Sequence, residues 1–240
     1  MERQLKRHTR WDIFIHWFNA LCWLVLLPTG IGLIQNEQLN PLGGWFPAAM
    51  RDLVGGGANL LLFHQVVGII WVAGFVAYMI FNVRGTLFFL KEIFTVSPVR
   101  DTKWLVKKQI QMTLGTKWLK RLGMDPTIPE QGFYNMGQKV FAQLAVVGSV
   151  IIAITGVIMI LSQTMLANES TWMVSWSIML HYLFAGLVFA GLLVHVYMAG
   201  IAREERPAFK SMFTGTVPES YAKHHHRIWY DQERGESLKN

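Results

Sequence analysis

Cysteine is almost missing from this 240-residue chain, where Cys22 stands alone. Internal disulfides, thiolate-held iron–sulfur clusters and a C-x-x-C-H haem attachment are thereby excluded. Cys22 reads as a small packed apolar residue. Charge is scarce too: 15% of residues are charged and 52% hydrophobic, a balance unlike that of soluble domains. Carboxylates are scarcest inside the long apolar runs, which hold none beyond Asp12 at one edge. A metal transporter would gather such groups at mid-membrane. No small-x-small site follows the first apolar run, which is longer than a signal h-region, so it is not read as a cleaved signal peptide.

Four long apolar runs are present, at about 13–34, 60–81, 140–162 and 176–201. Each reaches or exceeds the roughly 20 residues a helix needs to cross about 30 Å of hydrocarbon. The expected fold is an all-α membrane protein, a four-helix transmembrane bundle over 1–202 with a polar tail over 203–240. Lysine and arginine are almost absent from two of the connections. Only Arg51 lies between spans one and two, and none lies between spans three and four. The other 21 of the 22 stand before span one, in the loop 82–138 and at its edge (Lys139), or in the tail. The positive-inside rule then places both termini and the loop 82–138 in the cytoplasm of a bacterial inner membrane. The net charge of +7 is thus a matter of membrane orientation and an anionic inner leaflet, not of nucleic acid.

The loops differ in kind. Gln35–Asn59 is external, with turn signals at Asn40-Pro41, Gly43-Gly44 and Gly55-Gly56-Gly57. The loop 82–138 is too long for plain coil. Its mixture of Trp104, Lys107, Lys108, Leu114, Trp118, Leu119 and Lys120 predicts a helix lying at the membrane interface. The tail, with His224, His225 and His226, reads as solvated.

Four histidines lie in the apolar runs: His16, His64, His181 and His195. His181 and His195 are fourteen residues apart, so on one helix they share a face within about 40° and lie roughly 21 Å apart along the axis. With alternating span directions, His64 and His181 fall near the outer side, and His16 and His195 near the inner side. A six-coordinate haem takes one imidazole on each face, which favours electron transfer over oxygen binding. Two such pairs suit two non-covalent haems b stacked across the bilayer. Gly30 shares the helical face of His16, Gly68 is one turn after His64, and Gly186 lies near His181. Side-chain-free helix surface of this kind suits a flat macrocycle, although small residues also serve helix contacts in membranes.

The chain resembles the cytochrome b (gamma) subunit of membrane-bound respiratory formate dehydrogenases. The resemblance rests on Ile15-His16-Trp17, on His64 with Gly68, and on Tyr134-Asn135-Met136-Gly137-Gln138-Lys139. It continues through Thr155-Gly156-Val157-Ile158, His181-Tyr182-x3-Gly186 and His195-Val196-Tyr197-Met198-Ala199. It extends into the tail from Lys210-Ser211-Met212 to Trp229-Tyr230. The sequence departs from the pattern at Gln65, where proline is common, and at His226, which lengthens a histidine pair.

The resemblance implies the two haems and the pairs His64/His181 and His16/His195. It also implies a quinone, menaquinone or ubiquinone, near Asn135 and Gln138 beside the inner haem. The implied partners are an iron–sulfur (beta) subunit and a molybdenum- or tungsten-containing catalytic (alpha) subunit, in a complex that permits a higher oligomer. Formate oxidation belongs to that catalytic subunit, and the chain itself would serve anaerobic respiration by carrying electrons. Asn135 alone also reads as a helix N-cap. The alternatives are the cytochrome b subunit of a nickel–iron hydrogenase or sulfur-compound reductase, and a haem-free transporter or structural anchor.

Overall fold

The computed structural model describes residues 2–163 and 171–237. Its elements are β1 (Gln4–Lys6), α1 (Arg10–Leu33), α2 (Trp45–Val54), α3 (Gly57–Phe81), α4 (Val83–Phe94), α5 (Pro98–Thr113) and α6 (Thr116–Arg121), followed by the long α7 (Met136–Ser162) and α8 (Thr171–Val196). A π-helical turn, Tyr197–Ile201, continues α8. The tail then forms α9 (Arg206–Thr214), β2 (Thr216–Pro218), α10 (Glu219–His225) and α11 (Arg227–Ser237).

Among the described residues, four helices are long and apolar enough to cross a membrane: Arg10–Leu33, Gly57–Phe81, Met136–Ser162 and Thr171–Ile201. The four expected spans are therefore present, all of them starting three to five residues earlier than expected. Polar residues such as Arg10, Asp12 and Gln138 can occupy the ends of a membrane helix, so hydropathy alone misplaces those ends. Large apolar side chains, among them Leu24, Ile80 and Val194, project from these helices into open surroundings. In water such a surface would be costly, whereas hydrocarbon accepts it and every backbone bond is closed within the helix. The connection between the third and fourth spans falls largely on 164–170, outside the described residues.

The chain forms two compact units. One contains α1, α2, α3 and the stretches of α7 and α8 over 147–190. In it α1 and α3 pack closely, because Gly74 lets the ring of Phe18 lie against the α3 backbone. Two polar contacts fix their register: Trp71 Nε1 donates to Asn19 Oδ1 at 2.9 Å, and the Tyr78 hydroxyl donates to Asp12 Oδ1 at 3.0 Å. The external loop is partly helical. Gly43, Gly55 and Gly56 adopt positive φ, as their turn signals predict. Asn40 Nδ2 donates to the carbonyls of Ile31 and Ile34 at the end of α1. Cys22 is buried and unpaired, as expected.

The other unit contains residues 1–9, 84–146 and 191–240. Here the tail departs from its expected solvated state. β2 pairs antiparallel with β1, Leu5 opposite Val217. Leu5, Val217, Tyr221, Ala222, Trp229 and Tyr230 form a buried core with Phe133 packed against it. The alternation of these apolar residues with charge hides the core from a hydropathy reading. The interface helix is also corrected. Gly115, at φ +87°, breaks it into α5 and α6, and Leu119 is fully buried while Leu114 and Trp118 remain exposed.

Candidate functional site

His64 on α3 and His181 on α8 come together, with ring centres 6.4 Å apart. Each imidazole is held the same way. Thr29 Oγ1 lies 2.8 Å from His64 Nδ1, and Thr155 Oγ1 lies 3.0 Å from His181 Nδ1. Each hydroxyl also donates to the carbonyl four residues back, Thr29 to Val25 O at 2.8 Å and Thr155 to Ile151 O at 2.7 Å. A hydroxyl has one proton and two acceptor lone pairs. With that proton on a carbonyl, Thr29 and Thr155 accept from Nδ1–H. The tautomer is thereby fixed, and each Nε2 keeps its lone pair for a metal.

The residue after each threonine is a glycine set against the same ring. A Cβ on Gly30 would lie 3.3 Å from His64 Cε1, and one on Gly156 would lie 3.4 Å from His181 Cε1. A Thr-Gly dipeptide thus does the same work in two of the spans, its hydroxyl bonding one histidine and its bare backbone lying against the same ring. Gly30 serves His64 in this way, where the sequence had placed it with His16. Gly186 meets nothing within 4 Å, and Gly68 meets only Leu26 Cδ2, at 4.0 Å.

This geometry fits a bis-imidazole haem. Metal–imidazole bonds of about 2 Å on either side, plus roughly 1 Å from nitrogen to ring centre, put two axial rings about 6 Å apart. The 6.4 Å separation matches that figure. Both Nδ1 atoms are already engaged, and Gly68, one turn after His64 on the same helix face, is nearly bare.

His16 and His195 belong to different units. His16 stands in the second turn of α1, with the Trp17 ring edge-on at 5.1 Å. His195 is the penultimate residue of α8, two before the start of the π-helical turn, a distortion common at functional sites. Its ring stacks on Phe141 of α7, centres 4.7 Å apart and planes 15° from parallel. Gly191 gives Phe141 room, since a Cβ there would lie 3.0 Å from the ring.

Asn135 and Gln138 begin α7 and cap it reciprocally. Asn135 Oδ1 accepts from Gln138 N at 2.9 Å, and Gln138 Oε1 accepts from Asn135 N at 3.1 Å. This is a capping box, which satisfies donors a helix start would otherwise orphan. Gln131 Oε1 takes a third, Met136 N, at 2.8 Å. The caps use the amide oxygens, and the two NH2 groups remain as donors. Phe141 follows Gln138 by three residues on α7, which places Asn135, Gln138 and the Phe141/His195 stack in one line. Phe141, Thr29 and Thr155 carry no ligand chemistry of their own, so a search for metal-binding residue types passes over them. The repeated Thr-Gly was the available signal.

Three further features bear on the polar groups nearby. Lys139 Nζ donates to Thr95 O at 2.6 Å, and Gln143 Nε2 to Ile93 O at 2.6 Å, tying α7 to α4. Asp101 is fully buried at the start of α5. Burial pushes its carboxyl up, but bonds from Arg100 and the Ser97 N–H, with the field of Lys139, hold it below its ordinary value. Among the described residues no group of three His, Cys, Asp or Glu side chains gathers to hold a metal ion, and this includes His224, His225 and His226.

Residues 7–215 match the family described as prokaryotic cytochrome b561. The cytochrome b556(fdo) subunit of formate dehydrogenase from Escherichia coli K12 is 23% identical over 228 residues, 95% of this chain and 92% of that subunit. The formate dehydrogenase cytochrome b556 subunit of Haemophilus influenzae is 24% identical over 234 residues, 97% of this chain and 84% of that one. The chain belongs to the prokaryotic cytochrome b561 family.

Proposed function

We propose that this multi-pass membrane cytochrome b is the di-haem subunit of a respiratory formate dehydrogenase, passing electrons from a partner iron–sulfur subunit on the outer side to a quinone on the cytoplasmic side. The observation that carries the reading is the His64/His181 pair, spaced for a six-coordinate iron with both Nδ1 atoms already bonded. The near full-length similarity to formate dehydrogenase cytochrome subunits supports the choice of partner.

Haems b, when bound, supply reversible one-electron iron chemistry. His64 and His181 would hold the outer one and His16 and His195 the inner one. Thr29 and Thr155 keep the outer imidazoles in one tautomer and one orientation. The apolar helices exclude water. At the inner end the amide NH2 groups of Asn135 and Gln138 are donors suited to quinone carbonyls. A quinone takes two electrons and two cytoplasmic protons to give the quinol. Electrons moving inward oppose the membrane potential at about 2.3 kcal/mol per charge per 100 mV, so the process forms half of a redox loop.

Orientation follows the basic residues, with both termini and the α4–α6 loop cytoplasmic. The catalytic molybdenum- or tungsten-containing subunit is the source of the electrons. A nickel–iron hydrogenase or sulfur-compound reductase partner would use the same physics. Purifying the intact complex and identifying its largest subunit tests the choice. A pyridine haemochrome assay tests the cofactor, with two haems b per fully loaded chain expected and one or fewer refuting the di-haem reading.

A further inference from the structure

Three consecutive carbonyls precede the start of α7, and each accepts a hydrogen bond from a residue far away in sequence. Ile228 N donates to Gln131 O at 3.0 Å. His226 Nδ1 lies 2.8 Å from Gly132 O, and a carbonyl only accepts, so Nδ1 carries the proton. Arg7 Nη2 donates to Phe133 O at 2.7 Å.

The donors themselves are firmly held. Arg7 lies against both the Phe133 and the Trp229 ring, which touch one another, its guanidinium carbon 5.0 Å and 5.3 Å from their centres. His226 is fully buried, with Tyr221 and Trp229 around it. An extended segment with no helix or sheet of its own is therefore fixed from two sides, by the residue after β1 and by the junction of α10 and α11.

What this segment positions is the start of α7. Gln131 turns its side chain onto Met136 N at 2.8 Å, and two residues after Phe133 comes Asn135, the first member of the capping box. The amides of Asn135 and Gln138 thus take their place from a segment that the tail holds.

We propose that His226 is a positioning residue for the quinone site, acting through the Gly132 carbonyl to set where the Asn135 and Gln138 amides stand. The inference rests on the reading of those amides as quinone donors. It assigns the tail histidine a role that requires neither a metal nor contact with the quinone. It also accounts for a folded tail whose core closes over Phe133.

The test uses the full-length, haem-loaded protein, reduced with dithionite, freed of excess reductant and mixed with menadione while haem reoxidation is followed optically. His226→Leu removes the donor, whereas His226→Asn offers an amide N–H near the Nδ1 position. In His226→Leu the menadione concentration at half-maximal rate should rise roughly three- to ten-fold, the usual scale of one lost hydrogen bond. Its maximal rate and haem spectrum should persist, and His226→Asn should recover most of the affinity.

Wild-type affinity in His226→Leu would overturn the proposal. So would equal loss in both variants accompanied by loss of haem, which marks a merely structural residue. Asn135→Asp and Gln138→Glu keep the capping oxygens and remove the NH2 donors. If they leave menadione affinity unchanged, the quinone reading fails and the positioning role with it. If they shift it while His226→Leu does not, the positioning role alone fails.

Discussion

Thr29 accepts the Nδ1–H of His64 at 2.8 Å while giving its own proton to the carbonyl of Val25, one turn back in the same helix. The hydroxyl stands between a helix bond and a candidate iron ligand. Pro28, the residue before it, has no N–H for the Leu24 carbonyl, but the Thr29 hydroxyl bonds Val25 O and Leu26 O instead, so it does not serve to repair that gap. Thr155 repeats the arrangement for His181 on α7 without a proline.

Replacing either threonine by valine keeps the shape and removes the acceptor. Haem retention at the outer site should fall about 10- to 100-fold in Thr29→Val and Thr155→Val, the scale seen when a ligand's outer partner is lost. Serine at either position should restore most of it. Haem titration of the apoprotein measures the effect, and unchanged affinity in both valine variants would show that the hydroxyls do not act on the ligands.

Gly30→Ala and Gly156→Ala each bring a methyl carbon to within 3.3 Å and 3.4 Å of a histidine Cε1. The Gly30 contact is tight and the Gly156 contact is at the edge of ordinary packing, so each imidazole needs to give by at most a few tenths of an ångström. The expected result is an altered low-spin EPR signal of one haem component, the same one in both variants. Different components responding to the two substitutions would mean that His64 and His181 do not share an iron.

The pairing of the four histidines is open to a direct spectral check. His64→Ala and His181→Ala should abolish one and the same optical and redox component, while His16→Ala and His195→Ala abolish the other. A common loss in the His16 and His181 variants would refute the assignment by depth.

His226 predicts a pH dependence. Burial, the neighbouring positive charge of Arg7 and to a lesser degree His225 push its pKa well below the ordinary 6.5, against the bond to Gly132. Glu205 and Tyr221, bonded to one another at 2.6 Å, share this core with Tyr230 and with His225, which stacks on Tyr221. Between the lowered folded value and 6.5 the unfolded chain binds a proton that the folded chain does not, so stability is full above that window and falls as pH drops through it. Thermal unfolding should therefore begin earlier at pH 5 than at pH 7.5. His226→Asn, which does not titrate, should narrow that difference. An equal pH effect in wild type and variant would remove His226 as its source.

Some of this protein was legible in the residues alone. Four apolar runs, an almost one-sided distribution of lysine and arginine, and the fourteen-residue spacing of His181 and His195 need only helix geometry and the dimensions of a bilayer, because both are periodic and local. The N-cap at Asn135 is local as well and was legible, whereas the return bond from Gln138 came only with the structure. What required the tertiary structure were contacts without a sequence period. Thr29 meets His64 across 35 positions and Thr155 meets His181 across 26, and nothing in either distance marks a hydroxyl as a partner for an imidazole. His226 reaches Gly132 across 94 positions and Arg7 reaches Phe133 across 126. A polar, histidine-bearing tail looks solvated when its charges are counted. It folds because its few apolar residues, Val217, Tyr221, Ala222, Trp229 and Tyr230, find Leu5 and Phe133, and only the packed chain brings those together.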